Sequence, residues 1–383
     1  MNFSLLGLAA PLLKAIKEQG YDQPFPIQEQ AIPAILAGND VLGIAQTGSG
    51  KTAGFALPIL QQLQFKQEAK NRYIRVLVLV PTRELALQVA NVFRGFSMYL
   101  TRRVKTLAVF GGVSINPQMM AMSGTEILVA TPGRLLDLLE SNALHLSELN
   151  TLVLDEADKM LSLGFKDEME RIFALLPAKR QNLLFSATLA DDVQTIKAKM
   201  LRDPLVISAE EKEEEGDKLE LIKQVAYRVS QERKGPFLRY LIRHEKMQQV
   251  LIFVSSTRNA DNLGVKLRKN DIEAMAMHGD KSQGARVEAL RRFKTGQLQV
   301  LVATDLASRG IDIQFLPFVI NYDLPRSPKD YVHRIGRTGR AGATGEAISL
   351  ITPEDEHHFK IIQKKMGKTV EMRETGEVNL HGF

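Results

Sequence analysis

Short β-branched and leucine-rich runs recur along the chain: VLVLV (76–80), EILVA (126–130), TLVL (151–154), NLLF (182–185), VLIFV (250–254), VLVA (300–303) and FVIN (318–321). Apolar on both faces, each predicts a strand buried in a parallel sheet, with the helical stretches between them covering its two sides. Most of the runs are followed at once by polar segments: PTRELALQ, TPGR, DEAD, SAT, SST and TD. In open α/β sheets ligands bind beyond the carboxyl ends of the strands. Six such segments at one structural address predict a working edge.

The runs fall into two sets, separated by SAEEKEEEGDKLE (208–220), which is acidic, interrupted by glycine and poor in apolar residues. It predicts a solvated linker between two α/β domains, 1–207 and 221–383, the second with a short C-terminal extension. A charged surface helix inside one domain is the other reading of that stretch. The composition, 44% hydrophobic and 25% charged over 383 residues, is that of an ordinary globular protein. A net charge of +6 suits a polyanionic partner as well as a mildly basic enzyme without one. With no cysteine the chain has neither disulfides nor a thiolate metal site, which suits a reducing cytoplasm. The N-terminal residues lack a basic segment followed by an apolar core of signal-peptide length, and no apolar run is long enough to span a bilayer.

The chemistry begins at LDEADKM (154–160), where Asp155, Glu156 and Asp158 crowd within four positions at the end of a strand. Like charges this close repel, so a cation belongs among them. Its source is AQTGSGKT (45–52), which follows the apolar DVLGI and has phosphate-loop spacing, with Ala45 where the stricter pattern has Gly. Gly48 and Gly50 let backbone N–H groups curl around phosphates, together with Gln46, Thr47 and Ser49 of the same loop. Lys51 reaches the β- and γ-phosphates, and Thr52 offers a hydroxyl to Mg²⁺. Asp155 is then the acid that holds Mg²⁺, largely through water, and Glu156 orients or deprotonates the attacking water. Asp158 bonds elsewhere or caps the following helix. Upstream, in YDQPFPIQ (21–28), the Gln28 amide donates and accepts at once. It therefore matches the N6 donor and N7 acceptor of adenine and not the two acceptors of guanine.

These segments, in this order, resemble the DEAD-box RNA helicases of superfamily 2 over nearly the whole chain. The opening residues and compactness are most similar to the bacterial RhlE-type branch. The family's ordered motifs are matched by the aromatic Phe3, the Q motif ending at Gln28, AQTGSGKT, PTRELALQ (81–88), GG (111–112), TPGR (131–134), DEAD, SAT (186–188), LIFVSST (251–257), QGAR (283–286), ATDLASRGID (303–312) and HRIGRTGR (333–340). One departure is Phe25, where the family has Thr before Pro-Ile-Gln.

The resemblance implies two tandem RecA-like domains, each a mostly parallel sheet flanked by helices, with ATP in the interdomain cleft. It places Phe3 and Tyr21 with Gln28 around the base, Asp305 near the ribose, and Arg337 and Arg340 on the γ-phosphate as arginine fingers. His333 would couple to Asp158, Ser186 and Thr188. RNA contacts fall on Arg83, Gly112, Thr131 and Arg134 of the first domain, and on Ser255, Arg286 and Thr304 of the second. Such groups grip phosphates and sugars without stacking on bases, so the implied recognition of RNA is independent of sequence. The implied activity is local, non-processive unwinding or remodelling driven by ATP and Mg²⁺. The protein would be a cytoplasmic monomer, with ribosome assembly and RNA decay as settings for partners. An ATP-gated RNA clamp with little unwinding and a DNA-directed translocase of superfamily 2 are the two other readings.

Overall fold

The computed structural model describes residues 2–46, 48–67, 70–208, 222–305, 313, 316–339 and 345–383. Thr47, Arg340 and all of the expected linker except Ser208 lie outside the described residues. The chain divides into two compact units, Met1–Glu211 and Lys212–Phe383.

The first unit is built on seven strands: β1 (Val41–Ile44), β2 (Val76–Leu79), β3 (Thr106–Val109), β4 (Ile127–Ala130), β5 (Thr151–Leu154), β6 (Gln181–Ser186) and β7 (Leu205–Ser208). Every pairing is parallel, in the order β3-β4-β2-β5-β6-β1-β7. All positions of β1, β2, β4 and β5 are buried. Because successive side chains point to opposite faces, Val41, Val76, Val129 and Val153 enter one core and Leu42, Leu77, Leu128 and Leu152 the other. The first core is closed by α1 (Ala10–Glu18), α2 (Pro26–Leu36), α3 (Lys51–Leu63) and α4 (Arg83–Ser97). The second is closed chiefly by α6 (Pro132–Glu140), α7 (Ala157–Ser162), α8 (Lys166–Ala174) and α9 (Asp191–Met200), which follow the short α5 (Asn116–Met120).

The second unit repeats this wiring with β8 (Ile222–Arg228), β9 (Val250–Phe253), β10 (Ala274–Met277), β11 (Val300–Ala303), β12 (Phe318–Asn321), β13 (Gly345–Ile351) and β14 (Glu371–Glu374). The order is β10-β11-β9-β12-β13-β8-β14. Numbered within its own unit, each sheet reads 3-4-2-5-6-1-7. The helices are α10 (Lys234–His244), α11 (Thr257–Arg268), α12 (Gln283–Lys294), α13 (Pro328–Ile335) and α14 (Glu356–Met366). Helices α10 and α11 cover one face of the sheet, and α12, α13 and α14 the other.

All seven apolar runs picked out from the sequence are strands, and the sheets are wholly parallel. The C-terminal residues expected as a short extension supply β14, the strand equivalent to β7. Among the described residues, no helix is long and apolar enough to cross a membrane.

Candidate nucleotide site and nucleic-acid interface

Parallel strands put all carboxyl ends on one side. In the first unit that side carries the segments after β1, β2, β4, β5 and β6, which are the motifs at 45–52, 81–88, 131–134, 155–158 and 186–188.

The loop after β1 is folded on itself. Ser49 donates to the Gln46 carbonyl through its N–H at 3.3 Å and its hydroxyl at 2.7 Å. Lys51 opens α3, is 6% exposed, and donates from Nζ to the Ala45 carbonyl at 2.7 Å. Gly48 and Gly50 take φ of 86° and 83°, a left-handed conformation that L side chains resist. Thr52 sits in the first turn of α3, where free N–H groups favour an anion. Gln28 is fully buried on α2: its Nε2 donates to the Gly50 carbonyl at 2.9 Å, and its Oε1 accepts the Phe25 N–H at 3.0 Å. Both ends of the amide expected to read adenine are therefore bonded within the protein, each with one further hydrogen or lone pair. A Cβ on Gly50 would lie 2.4 Å from Gln28 Nε2 and 2.7 Å from the Phe25 ring, so the loop has no room for one. Phe3 is 3% exposed and packs edge-on against half-buried Tyr21, which in turn leans on Phe96. Phe3 thus lies in the core beneath Tyr21.

Beyond β5 the Asp155 N–H still bonds the Leu79 carbonyl at 3.0 Å, and then the chain kinks. Glu156 adopts φ 56° and ψ 47°, a left-handed geometry that costs about 1–3 kcal/mol in a non-glycine residue. Asp155 and Glu156 are 2% and 4% exposed. Burial pushes the Asp155 carboxyl up to about 6, with Glu156 acting in the same sense and Lys51 and Lys159 opposing. Lys159 pairs with Glu156 Oε1 at 2.7 Å. Sequence reasoning passed over Lys159, although its spacing of three residues from Glu156 at a helix start is the signal for such a pair. Asp155 Oδ1, Glu156 Oε2 and Asp158 Oδ1 are buried without a hydrogen-bond partner. Unsatisfied carboxylate oxygens of this kind suit a hard divalent cation and its water. Among the described residues no three His, Cys, Asp or Glu side chains converge as a metal cluster. Mg²⁺ would accordingly take Asp155 and Thr52 as its protein contacts, with phosphate and water completing its shell. The Thr188 hydroxyl donates to Asp158 Oδ2 at 3.4 Å and the Ser186 hydroxyl to the Thr188 carbonyl at 2.8 Å, which links the 186–188 turn to the carboxylate turn.

The four RNA-contact candidates of the first unit lie on the same edge. Gly112 has φ 72°, and a Cβ there would stand 1.9 Å from Arg83 Nη2, so the guanidinium rests on bare backbone. Arg134 is 7% exposed, donates to the Val113 carbonyl at 2.8 Å and to Asp137 at 3.1 Å, and leaves Nη1 without a partner. Thr131, 8% exposed, precedes α6.

In the second unit, Ser255 follows β9, Thr304 and Asp305 follow β11, and Arg286, 8% exposed, lies in the first turn of α12. The Thr304 N–H reaches the Met277 carbonyl at 3.4 Å. Asp305, expected near the ribose, is gripped by Arg334: Nε and Nη2 bond its two oxygens at 2.6 and 2.7 Å. Arg334 is 2% exposed, also bonds Asn321 Oδ1 and the Asp323 carbonyl, and lies 4.9 Å over the Phe253 ring. Ser255 bonds Asp323 through both its N–H and its hydroxyl. His333 is exposed on α13 and Arg337 is half-buried just after it.

A family model described as DEAD/DEAH box helicase matches residues 25–196, and one described as helicase conserved C-terminal domain matches 233–342. The ATP-dependent RNA helicase CshA of Listeria monocytogenes is 39% identical over 371 residues, 97% of this chain and 70% of that protein. The DEAD-box ATP-dependent RNA helicase RhpA of Helicobacter pylori is 39% identical over 379 residues, 99% of this chain and 75% of that protein. Among solved structures, S. cerevisiae Dbp5 bound to RNA and ADP BeF3 aligns with a TM-score of 0.81 at 31% identity, over 98% of this chain and 95% of that one. A DEAD box protein from the hyperthermophile Methanococcus jannaschii aligns with a TM-score of 0.54 at 36% identity, over 97% and 99%. The names CshA and RhpA do not carry the expected RhlE-type branch; the family is the level these matches support.

Proposed function

The chain belongs to the DEAD-box ATP-dependent RNA helicases, with two RecA-like units, and we propose that it uses ATP to separate short RNA duplexes or remodel RNA–protein assemblies locally, as a cytoplasmic monomer. Lys51 gives up the Ala45 carbonyl for the β- and γ-phosphates, and the loop N–H groups around Gly48 and Gly50 close on them. Gln28 holds that loop while its remaining hydrogen and lone pair meet adenine, and Tyr21 flanks the base. When bound, Mg²⁺ supplies positive charge at the phosphates. Glu156 accepts the proton of the attacking water. Arg337 and Arg340 stabilise charge on the γ-phosphate; arginines in that role are worth about 10³–10⁵ in rate.

Arg83, Gly112, Thr131 and Arg134 on one unit, and Ser255, Arg286 and Thr304 on the other, hold one RNA strand. ATP and RNA then favour the same closed state, each raising the affinity for the other. Asp158, Ser186, Thr188 and His333 transmit closure. The observation that carries this reading is the pair of buried, unpartnered oxygens of Asp155 and Glu156 at a sheet edge where Lys51 lies close enough to act on Asp155. ATPase assays with single-stranded RNA, duplex RNA and DNA test it, alongside strand separation. Stimulation by RNA with ATP-dependent separation of short duplexes is expected. Equal stimulation by DNA would indicate a translocase on DNA, and RNA-stimulated turnover without strand separation a clamp.

A further inference from the structure

Ser255 stands exposed just past the end of β9, where the second unit is read as holding RNA. Its hydroxyl lies 2.9 Å from Asp323 Oδ2, and its backbone N–H lies 2.8 Å from the same atom. A carboxylate has no hydrogen to give, so the serine hydroxyl donates. Asp323 is fixed in place from several sides. Asn259 Nδ2 approaches Oδ2 at 3.3 Å, and Arg334 Nη1 holds the Asp323 carbonyl at 2.7 Å. Buried Lys234 stands 3.7 Å from Oδ1 and equally far from Asp355 Oδ2. The Ser255 hydroxyl therefore has its hydrogen committed inward. One lone pair faces Asn259 Nδ2 at 3.4 Å, and the other is left for solvent.

A hydroxyl in this state can only accept. A non-bridging phosphate oxygen carries no hydrogen and would meet a lone pair backed by a carboxylate. A ribose 2′-hydroxyl can donate, and deoxyribose has nothing in its place. We propose that Ser255, held as an acceptor by Asp323, reads the 2′-hydroxyl of a bound strand and so helps the protein tell RNA from DNA. Asp323 is the positioning residue. The inference rests on the RNA reading given above.

The test compares binding of an oligouridylate with its 2′-fluoro counterpart, in the presence of Mg²⁺ and a non-hydrolysable ATP analogue, by fluorescence anisotropy. Fluorine keeps an RNA-like sugar but has no hydrogen to donate. Ser255→Ala should cut the preference for the 2′-hydroxyl strand by roughly three- to tenfold, the value of one hydrogen bond, while the 2′-fluoro strand binds nearly as before. Asp323→Ala frees the serine hydrogen and should lower the preference likewise. Asp323→Asn keeps an acceptor oxygen for Ser255 and should retain it. Equal weakening of both strands in Ser255→Ala would make Ser255 a phosphate contact and overturn the proposal, as would an unchanged preference. A wild-type protein that binds neither strand would overturn the RNA reading itself.

Discussion

The Gln28 side chain donates to the Gly50 carbonyl at 2.9 Å, so the residue proposed to read the base is also a strut of the glycine-rich loop. In the proposed reading, base and phosphates are gripped by parts that share this one hydrogen bond. Gln28→Ala should raise the Kd for ATP roughly tenfold, at the upper end of a single hydrogen bond's worth, and narrow the preference over GTP. Gln28→Glu keeps an acceptor for the Phe25 N–H but loses the donor to Gly50, and should weaken ATP at least as much. Fluorescent-nucleotide titration measures both; a Glu variant that binds ATP normally would show that the strut is dispensable.

Gly112→Ala forces a side chain into a left-handed position and against the Arg83 guanidinium. The arginine must leave its place over the backbone. RNA affinity should fall about tenfold or more, while nucleotide affinity without RNA stays within twofold. A matched loss of nucleotide binding would mean the substitution damages the whole carboxyl edge of the sheet.

Glu156→Gln keeps the size of the side chain and removes the proton acceptor. ATP should bind as well as in wild type, and the chemical step should slow by about 10²–10⁴. On the proposed coupling of RNA and ATP through one closed state, RNA should dissociate more slowly from the variant under saturating Mg-ATP. Unchanged RNA release with ATP bound and intact would separate hydrolysis from RNA release.

Replacing both Ser186 and Thr188 with Ala removes the Thr188 hydroxyl that bonds Asp158 and the Ser186 hydroxyl that bonds the Thr188 carbonyl. Lys51, Glu156 and Arg337 are untouched. Strand separation should fall by a larger factor than RNA-stimulated ATPase, measured on the same preparation. Parallel losses would assign these hydroxyls to the fold of the turn alone.

Phe25 occupies the N-cap of α2 without an acceptor in its side chain, and its ring is 47% exposed. Only Gln28 reaches back to the Phe25 N–H, half of a capping box. Phe25→Thr adds a side-chain acceptor at the helix start, beside the Gln28 N–H that now bonds the Phe25 carbonyl at 2.8 Å, and should stabilise the first unit by about 0.5–1 kcal/mol. Urea denaturation followed by a probe in that unit checks the sign.

Seven of the interior strands could be read from the sequence because both their faces are buried, which leaves almost uninterrupted apolar residues; the interior β8 and β13, interspersed with polar residues, were not. The outer ones escaped for the opposite reason. Leu205 and Val206 of β7 are about half exposed, β14 reads EMRE, and β10 reads AMAM with little β-branching. Residue types and spacing also singled out the glycine-rich loop and the carboxylates proposed to work with it, since each lies in one local segment. They could not reveal that Arg334 grips Asp305 or that Asp323 orients Ser255. These partners lie 29 and 68 residues apart and meet only when parallel strands bring their ends together. Gln28 shows the same limit. The sequence suggested its amide as a base reader, but its bonds to Phe25 and Gly50 depend on α2 packing beside the loop.

Strand β1 carries the phosphate loop, yet its neighbours in the sheet are β6 and β7: Val41 pairs with Leu183 and with Leu205. At synthesis rates of about 5–20 residues per second, β1 is made roughly seven to thirty seconds before either neighbour exists. During that interval an entirely apolar strand and a glycine-rich loop have no sheet to join. Strand β8 is in the same position, since Gly345 and Glu371 supply its partners more than a hundred residues later. Each half of the molecule is thus finished from the inside last. The nascent chain has two separate periods of exposure to aggregation, and the nucleotide loop takes shape only when its domain is nearly complete.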